Sequence, residues 1–183
     1  MRIVSLSLHG CKVGTAPSKP NSKPPIRGSV SGWSAASARR NVDFLRSVEY
    51  HSIDDMGVCF TGTLKDCPPT SDDWHAIRNA FIRRLRRMGL VRSHWVTEWQ
   101  RRGVPQLHGM FFFPAHFCSV DVRRKIVTHW LEVASAFNPL RSAQYTTMMF
   151  DGLGWAQYSA KHASRGISHN IAPRLGIDRP SGS

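Results

Sequence analysis

Two short stretches of this 183-residue chain carry side chains able to do chemistry together. The first is EWQRRGVPQLH, from Glu98 to His108. Residues two apart on a strand point to the same side of a sheet, so Gln106 and His108 share one face and Leu107 takes the other. Glu98, across a tight turn, falls on the partner strand at about the same height. A carboxylate, an amide oxygen and an imidazole then converge. That is a donor set for a divalent cation, with positions left over for water or substrate. Hard oxygen donors favour Mg²⁺ or Mn²⁺ over zinc. Three polar residues on a hairpin serve equally well as a solvated face, and spacing alone leaves both readings open.

The second stretch is GWAQYSAKHASRG, from Gly154 to Gly166. Tyr158 and Lys161 are three residues apart and share a helix face. A tyrosine oxygen attacks a phosphodiester when its developing charge is stabilised, and a lysine or a cation beside it supplies that stabilisation. The alternative is a core aromatic, since Tyr158 also stands at helical spacing from Trp155.

Taken in this order, the two stretches resemble the HUH endonuclease superfamily, in particular the single-tyrosine rolling-circle replication initiators of plasmids and of single-stranded DNA phages and viruses. Three segments carry the resemblance. Phe60-Thr61-Gly62-Thr63-Leu64 is similar to the family's apolar-threonine strand. Glu98 through His108 resembles its metal hairpin, with Gln106 standing where the family has the first of two histidines. Tyr158-Ser159-Ala160-Lys161 matches its Tyr-x-x-Lys helix. The resemblance covers roughly Val58 to Arg165. It implies Glu98, Gln106 and His108 as ligands of Mg²⁺ or Mn²⁺, Tyr158 as nucleophile and Lys161 as its helper. The reaction it implies is a nick in single-stranded DNA at a replication origin, leaving a 5′-phosphotyrosyl adduct and a 3′-hydroxyl for a host DNA polymerase. Glutamine oxygen is a weaker but competent ligand for these hard ions. His94 and His116 are alternative ligands, His94 ranking below Gln106 because it lies about two pleats from Glu98.

Elements to hold these groups can be read along the chain. The Pro-, Ser- and Lys-rich start reads as a flexible basic arm, residues 1–36, because it cannot bury enough apolar area to offset its ordering entropy. A helix is expected from Ser37 as N-cap to about Tyr50. Gly57–Leu64 reads as a strand. A helix begins at Ser71, with Trp74, Ile77, Phe81 and Leu85 on one face and Gly89 as its stop. Strands are expected over Ser93–Gln100 and Gln106–Phe113, joined by a turn at Arg101–Val104. A helix over Asp121–Phe137, a strand over Gln144–Phe150 and a last helix over Leu153–Ser164 follow, then a basic tail, residues 166–183. This order predicts an α+β fold: an antiparallel sheet of about four to five strands with helices packed on one face, the split βαβ (ferredoxin-like or RRM-like) arrangement of the family. The catalytic domain is expected to span 37–165.

Composition agrees with a nucleic-acid partner. Lys plus Arg number 25 against 12 Asp plus Glu, a formal charge of +13, which calls for a polyanion. Candidate phosphate contacts are Arg101 and Arg102 at the hairpin tip, Arg83 and Arg87 on one helix, and Arg123, Arg124 and Lys125 on the next. Trp95, Trp99 and Trp155 are candidates for stacking on bases, or for the core. Four cysteines without a CxxC pair point to free thiols in a reducing cytosol, and no run reaches the roughly 18–20 apolar residues of a membrane span. No GxxxxGK[ST] loop occurs, so unwinding is left to a separate helicase. No small-molecule substrate is expected. Competing readings are a single-tyrosine transposase or a relaxase of the same superfamily, a non-catalytic nucleic-acid-binding module on this fold, and a basic scaffold.

Overall fold

The computed structural model describes residues 2–8, 10–15, 35–53, 55–149, 152, 154 and 155. Its elements are β1 (Arg2–Ser7), β2 (Gly10–Thr15), α1 (Ala35–Ser47), β3 (Met56–Thr63), α2 (Ser71–Arg87), β4 (Arg92–Trp99), β5 (Pro105–Phe113), α3 (Ser119–Val133) and β6 (Tyr145–Met148). Strands β4-β5-β3-β6 lie side by side in that order, every neighbouring pair antiparallel. The α+β class and the split βαβ arrangement are therefore as the sequence predicts. No helix among the described residues is long and apolar enough to cross a membrane.

Period-two patterning decides the two sides of the sheet. On β3, Val58 and Phe60 are buried, as is Leu64 just past its end, and on β5 so are Leu107, Phe111 and Phe113. These side chains meet Trp74, Ile77, Phe81 and Leu85 of α2 and Val122, Ile126 and Trp130 of α3 in one core. Phe60, Phe81 and Trp130 meet with ring centroids 5.3–5.7 Å apart, two of the three pairs edge to face, a geometry that the quadrupoles of the rings favour. A Cβ on Gly62 would stand 2.6 Å from the Phe60 ring and 2.8 Å from that of Trp130. The missing side chain lets the indole approach β3, where its Nε1–H donates to the Thr63 carbonyl at 3.2 Å.

The opposite face is not bare. Met110 and Phe112 of β5 point there and pack with Leu45 of α1 and with Tyr50, flanked by Val48, Ile53, Met149 and Trp155. Helices on one face alone is therefore corrected: β5 ends in the run Met110-Phe111-Phe112-Phe113, apolar on both sides, and the second side needs a cover of its own. Helix α1 and Tyr50 supply it over Met110 and Phe112. Gln106 and His108 lie on that same face toward the other end of β5.

Element boundaries differ in instructive ways. Helix α1 begins at Ala35, so Ser37 lies inside the helix rather than capping it; its hydroxyl accepts from Arg40. Helix α2 starts at Ser71 as expected, with Thr70 Oγ1 accepting the Asp73 N–H at 3.1 Å, and Gly89 at φ +99° ends it. Helix α3 stops at Val133; residues Ser135–Phe137 form a separate 3₁₀ turn closed by Asn138 at φ +49°, ahead of a proline that disfavours further helix. The arm expected over residues 1–36 is corrected at its start. Arg2–Ser7 and Gly10–Thr15 pair as an antiparallel hairpin, tied to α1 by Lys12 and Asp43 at 2.7 Å. Its side chains are largely exposed, so backbone pairing and not apolar burial orders it, which a burial criterion cannot detect. Beyond Gly154 and Trp155, which are helical, the last helix and the tail lie outside the described residues.

Trp130→Ala should lower the free energy of unfolding by about 3–5 kcal/mol, the cost of deleting a large aromatic from a closed core. Urea denaturation followed by far-ultraviolet circular dichroism measures it; a loss under about 1 kcal/mol would mean that the aromatic cluster does not hold the helices to the sheet.

Candidate metal centre

Cross-strand register places the candidate ligands. Gln106 of β5 pairs with Glu98 of β4 on one side and with Thr63 of β3 on the other; one pleat further, His108 lies between Val96 and Thr61. Glu98, His108 and Thr61 meet on the face opposite α2 and α3. Glu98 and His108 are diagonal neighbours, close enough for long side chains to meet. Glu98 Oε2 lies 3.0 Å from His108 Nε2. On the ring's other side, Thr61 Oγ1 lies 3.1 Å from Nδ1. His108 is 4% exposed, and the Glu98 side chain keeps about a quarter of its surface in solvent, at 26%. The imidazole is thus held from two strands at once.

The donor set fits a hard divalent cation. Adjacent ligands at about 2.1 Å in an octahedron stand about 3.0 Å apart, the separation of Glu98 Oε2 and His108 Nε2. Thr61 is the kind of outer partner that orients a ligating imidazole. Its hydroxyl donates to Nδ1 when Nε2 carries the proton toward Glu98, and accepts from Nδ1–H when the Nε2 lone pair is needed for a metal. Gln106, directly opposite Glu98, makes no side-chain hydrogen bond among the described residues. Among those residues no cluster of three His, Cys, Asp or Glu groups occurs, and the Gln106 amide oxygen is the third candidate ligand among them.

The alternative histidines are engaged elsewhere. His94 Nε2 meets Asn41 Oδ1 of α1 at 3.0 Å, and its ring lies against Phe44. Burial lowers its pKa to about 4. It is a neutral packing residue between β4 and α1. His116 is exposed and stands edge-on to Phe117 in the loop after β5.

The candidate phosphate contacts divide. Arg101 is exposed at the hairpin tip. Arg102 beside it folds back: it donates to Gln100 Oε1 at 2.6 Å, to the Lys65 carbonyl at 2.7 Å and to the Leu64 carbonyl. Gln100 in turn donates to Thr63 Oγ1 at 2.9 Å, and the Gln144 amide bonds both the N–H and the carbonyl of Thr63. This network ties the β4–β5 turn to the end of β3, beside Gln106. Arg83, Arg87, Arg124 and Lys125 are on α2 and α3, exposed, on the far side of the sheet from Glu98 and His108. Arg123 donates to the Thr146 carbonyl at 3.1 Å. Trp95 lies beneath Arg78, 4.3 Å from its ring centre, and belongs to the helix side. Tyr158 and Lys161 lie outside the described residues. Sequence reasoning missed Thr61, Gln100 and Gln144 as partners of the site; the parity of Thr61 and Thr63 on one strand was the available signal, but it points nowhere until the register is known.

No family model matches the chain, and no solved structure does. The chain is similar to a replication-associated protein of Pseudomonas phage Pf3, 43% identical over 186 aligned positions that cover 95% of this chain and 65% of that relative. It is 41% identical to a candidate replication protein of Xylella fastidiosa strain 9a5c, over 92% of this chain and 59% of the relative. A counterpart from strain Temecula1 is 39% identical over 92% of this chain and 63% of the relative. The chain thus spans 59–65% of the length of these curated relatives. It is a homologue of replication-associated proteins.

Two outcomes follow from the geometry. Thr61→Val removes the hydroxyl at nearly constant shape and should weaken Mn²⁺ binding by roughly 10–100-fold, the usual loss for an outer partner; calorimetric titration with Mn²⁺ reads it, and unaltered affinity would remove Thr61 from the centre. His94 should make stability fall with acidity. Above the ordinary pKa of about 6.5 both states are neutral, and below it the unfolded chain takes up a proton that the folded chain refuses until about pH 4. Stability is therefore lost between those pH values, by up to about 3 kcal/mol. His94→Gln should flatten that part of the unfolding profile; an unchanged slope would show that the imidazole protonates freely in the fold.

Proposed function

We propose that this homologue of replication-associated proteins nicks single-stranded DNA at a replication origin through Tyr158, assisted by a divalent cation, and so initiates rolling-circle replication. The observation that carries the reading is the Glu98–His108–Thr61 arrangement on the sheet face opposite α2 and α3, with Gln106 directly across from Glu98. Glu98, His108 and the Gln106 oxygen would hold Mg²⁺ or Mn²⁺. When bound, such an ion polarises a scissile phosphate and offsets the charge that builds on it.

The remaining work belongs to the chain. Thr61 keeps the His108 ring in one orientation. Arg102 and Gln100 fasten the turn, so that Glu98 and Gln106 keep their height against His108. Trp155 packs with Tyr50, Met110 and Phe112 on the same face of the sheet, and three residues of chain reach at most about 11 Å. The reading requires Tyr158, three residues after Trp155, to reach Glu98 and His108 on that face. In the reaction its phenol oxygen bonds to the scissile phosphorus as the bond to the 3′ oxygen breaks. The phenol proton ends on that 3′ oxygen, giving a 5′-phosphotyrosyl adduct and a free 3′-hydroxyl. Lys161 holds the phosphate and the developing phenolate charge. Because one phosphodiester-type bond replaces another, the ends can be rejoined. A host polymerase extends the 3′ end, and a separate helicase unwinds the duplex. The naming of the relatives as replication proteins favours this reading over a transposase.

Incubation with single-stranded oligonucleotides from the replicon's own origin and Mn²⁺ should yield an adduct that survives denaturing electrophoresis. Tyr158→Phe and EDTA should each abolish it, Lys161→Ala should slow it by about 10²–10³-fold, and His108→Ala should lower cleavage far more than oligonucleotide binding. Adduct formation by Tyr158→Phe at the wild-type rate would assign the chemistry to another residue, and binding without any adduct would leave a recognition module.

A further inference from the structure

The helix layer carries a concentration of positive charge that the nicking reaction does not use. Among the described residues, no side-chain ion pair or hydrogen bond engages Arg83, Arg86 or Arg87 of α2 or Lys125 of α3. The neighbouring carboxylates are already paired. Glu132 takes Arg84 and lies 3.6 Å from His129 Nδ1, and Asp121 takes Arg124 at 3.4 Å. His129, on α3, marks where the two helices bring their cations together. Burial first, then Arg84, Arg87 and Lys125, hold its pKa below the ordinary value. The helix dipole explains one or two basic residues at the end of α2, since it amounts to only about half an elementary charge. It does not explain Arg83, Arg84, Arg86 and Arg87 together, with Lys125 across the seam. Uncompensated charge of one sign destabilises a fold by self-repulsion, and a polyanion relieves it.

We propose that the seam between α2 and α3 is a second nucleic-acid surface, which holds the phosphate backbone of duplex DNA while the opposite face of the sheet works on a single strand. The choice of DNA among polyanions rests on the proposed replication function. The choice of duplex rests on the composition of the seam. Binding of unpaired strands depends on aromatic platforms for the bases, and here Trp74, Phe81 and Trp130 are all buried. The exposed aromatic side chains among the described residues, Phe44 and Tyr145, stand on other elements. A duplex needs no platform, because it presents a phosphate charge about every 1.7 Å along its axis. The seam also lies across the sheet from Glu98 and His108, so a duplex held there leaves the nicking face open. A protein acting where duplex gives way to single strand needs both surfaces at once.

The test is fluorescence anisotropy in EDTA, which silences cleavage. The probes are a mixed-sequence duplex of about 20 base pairs and an oligo-dT of the same length, titrated across salt. For Arg87→Gln combined with Lys125→Gln, the slope of log K against log salt for the duplex should become shallower by about 1.8, two phosphate contacts' worth. Affinity for oligo-dT should change much less. Both side chains are exposed, and an unchanged unfolding midpoint confirms that the variant folds. In the wild-type protein, addition of duplex should also raise the His129 pKa followed by nuclear magnetic resonance. Phosphates there offset Arg84, Arg87 and Lys125, while Glu132 already faces the ring. An unaltered duplex slope, equal losses for duplex and oligo-dT, or an unmoved His129 would each overturn the proposal. None of these readings involves Tyr158, so failure of the nicking chemistry is seen separately, as the absence of an adduct.

Discussion

His108 is gripped at both ring nitrogens by side chains from the two strands that flank its own, Thr61 from β3 and Glu98 from β4. That double contact exists only if three strands keep one register. A slip of a single residue on β4 or β3 would turn Glu98 or Thr61 to the helix side. The rest of the architecture can be understood as the means of preventing that slip. Phe60, Leu107 and Phe111 are locked against α2 and α3 on the other face. The turn after β4 is fastened to the end of β3 through Arg102, Gln100 and Thr63.

The sheet has two unequal sides because β5 is apolar on both. One side is closed by the α2–α3 layer. On the other, α1 and Tyr50 lie over Met110 and Phe112. On that side His94 meets Asn41 and Phe44 of α1, and His108 meets Thr61 and Glu98 of the neighbouring strands. Two histidines on one face of one hairpin therefore have different fates. Burial against α1 makes His94 a neutral structural group, while His108, buried as well, is held at both ring nitrogens by Thr61 and Glu98.

Charge is partitioned the same way. The sequence reads as one broad basic protein, whereas the fold sends Arg83, Arg87, Arg124 and Lys125 to the helix side and leaves Arg101 at the tip of the β4–β5 hairpin. Arg102 adjoins Arg101 in sequence, but it bonds backbone carbonyls and its work is to brace the turn. A basic residue's type says nothing about which of these roles it takes.

Much was legible in the residues themselves. Alternation in Gly57–Leu64 and Gln106–Phe113, helical spacing of Trp74, Ile77, Phe81 and Leu85, and the turn before Pro105 dictate the strands, the helix and the hairpin, because these patterns are local and repeat with the period of the element. The same parity puts Gln106 and His108 on one face. The exposed β1–β2 hairpin was not legible, since backbone pairing without burial leaves no hydrophobic signature. Nor was the role of Thr61, the loss of His94 to α1, or the inward turn of Arg102. Each depends on which strands become neighbours and on where α1 comes to lie, and contacts between residues 37 to 53 positions apart are set by the packing of whole elements, not by any pattern within one.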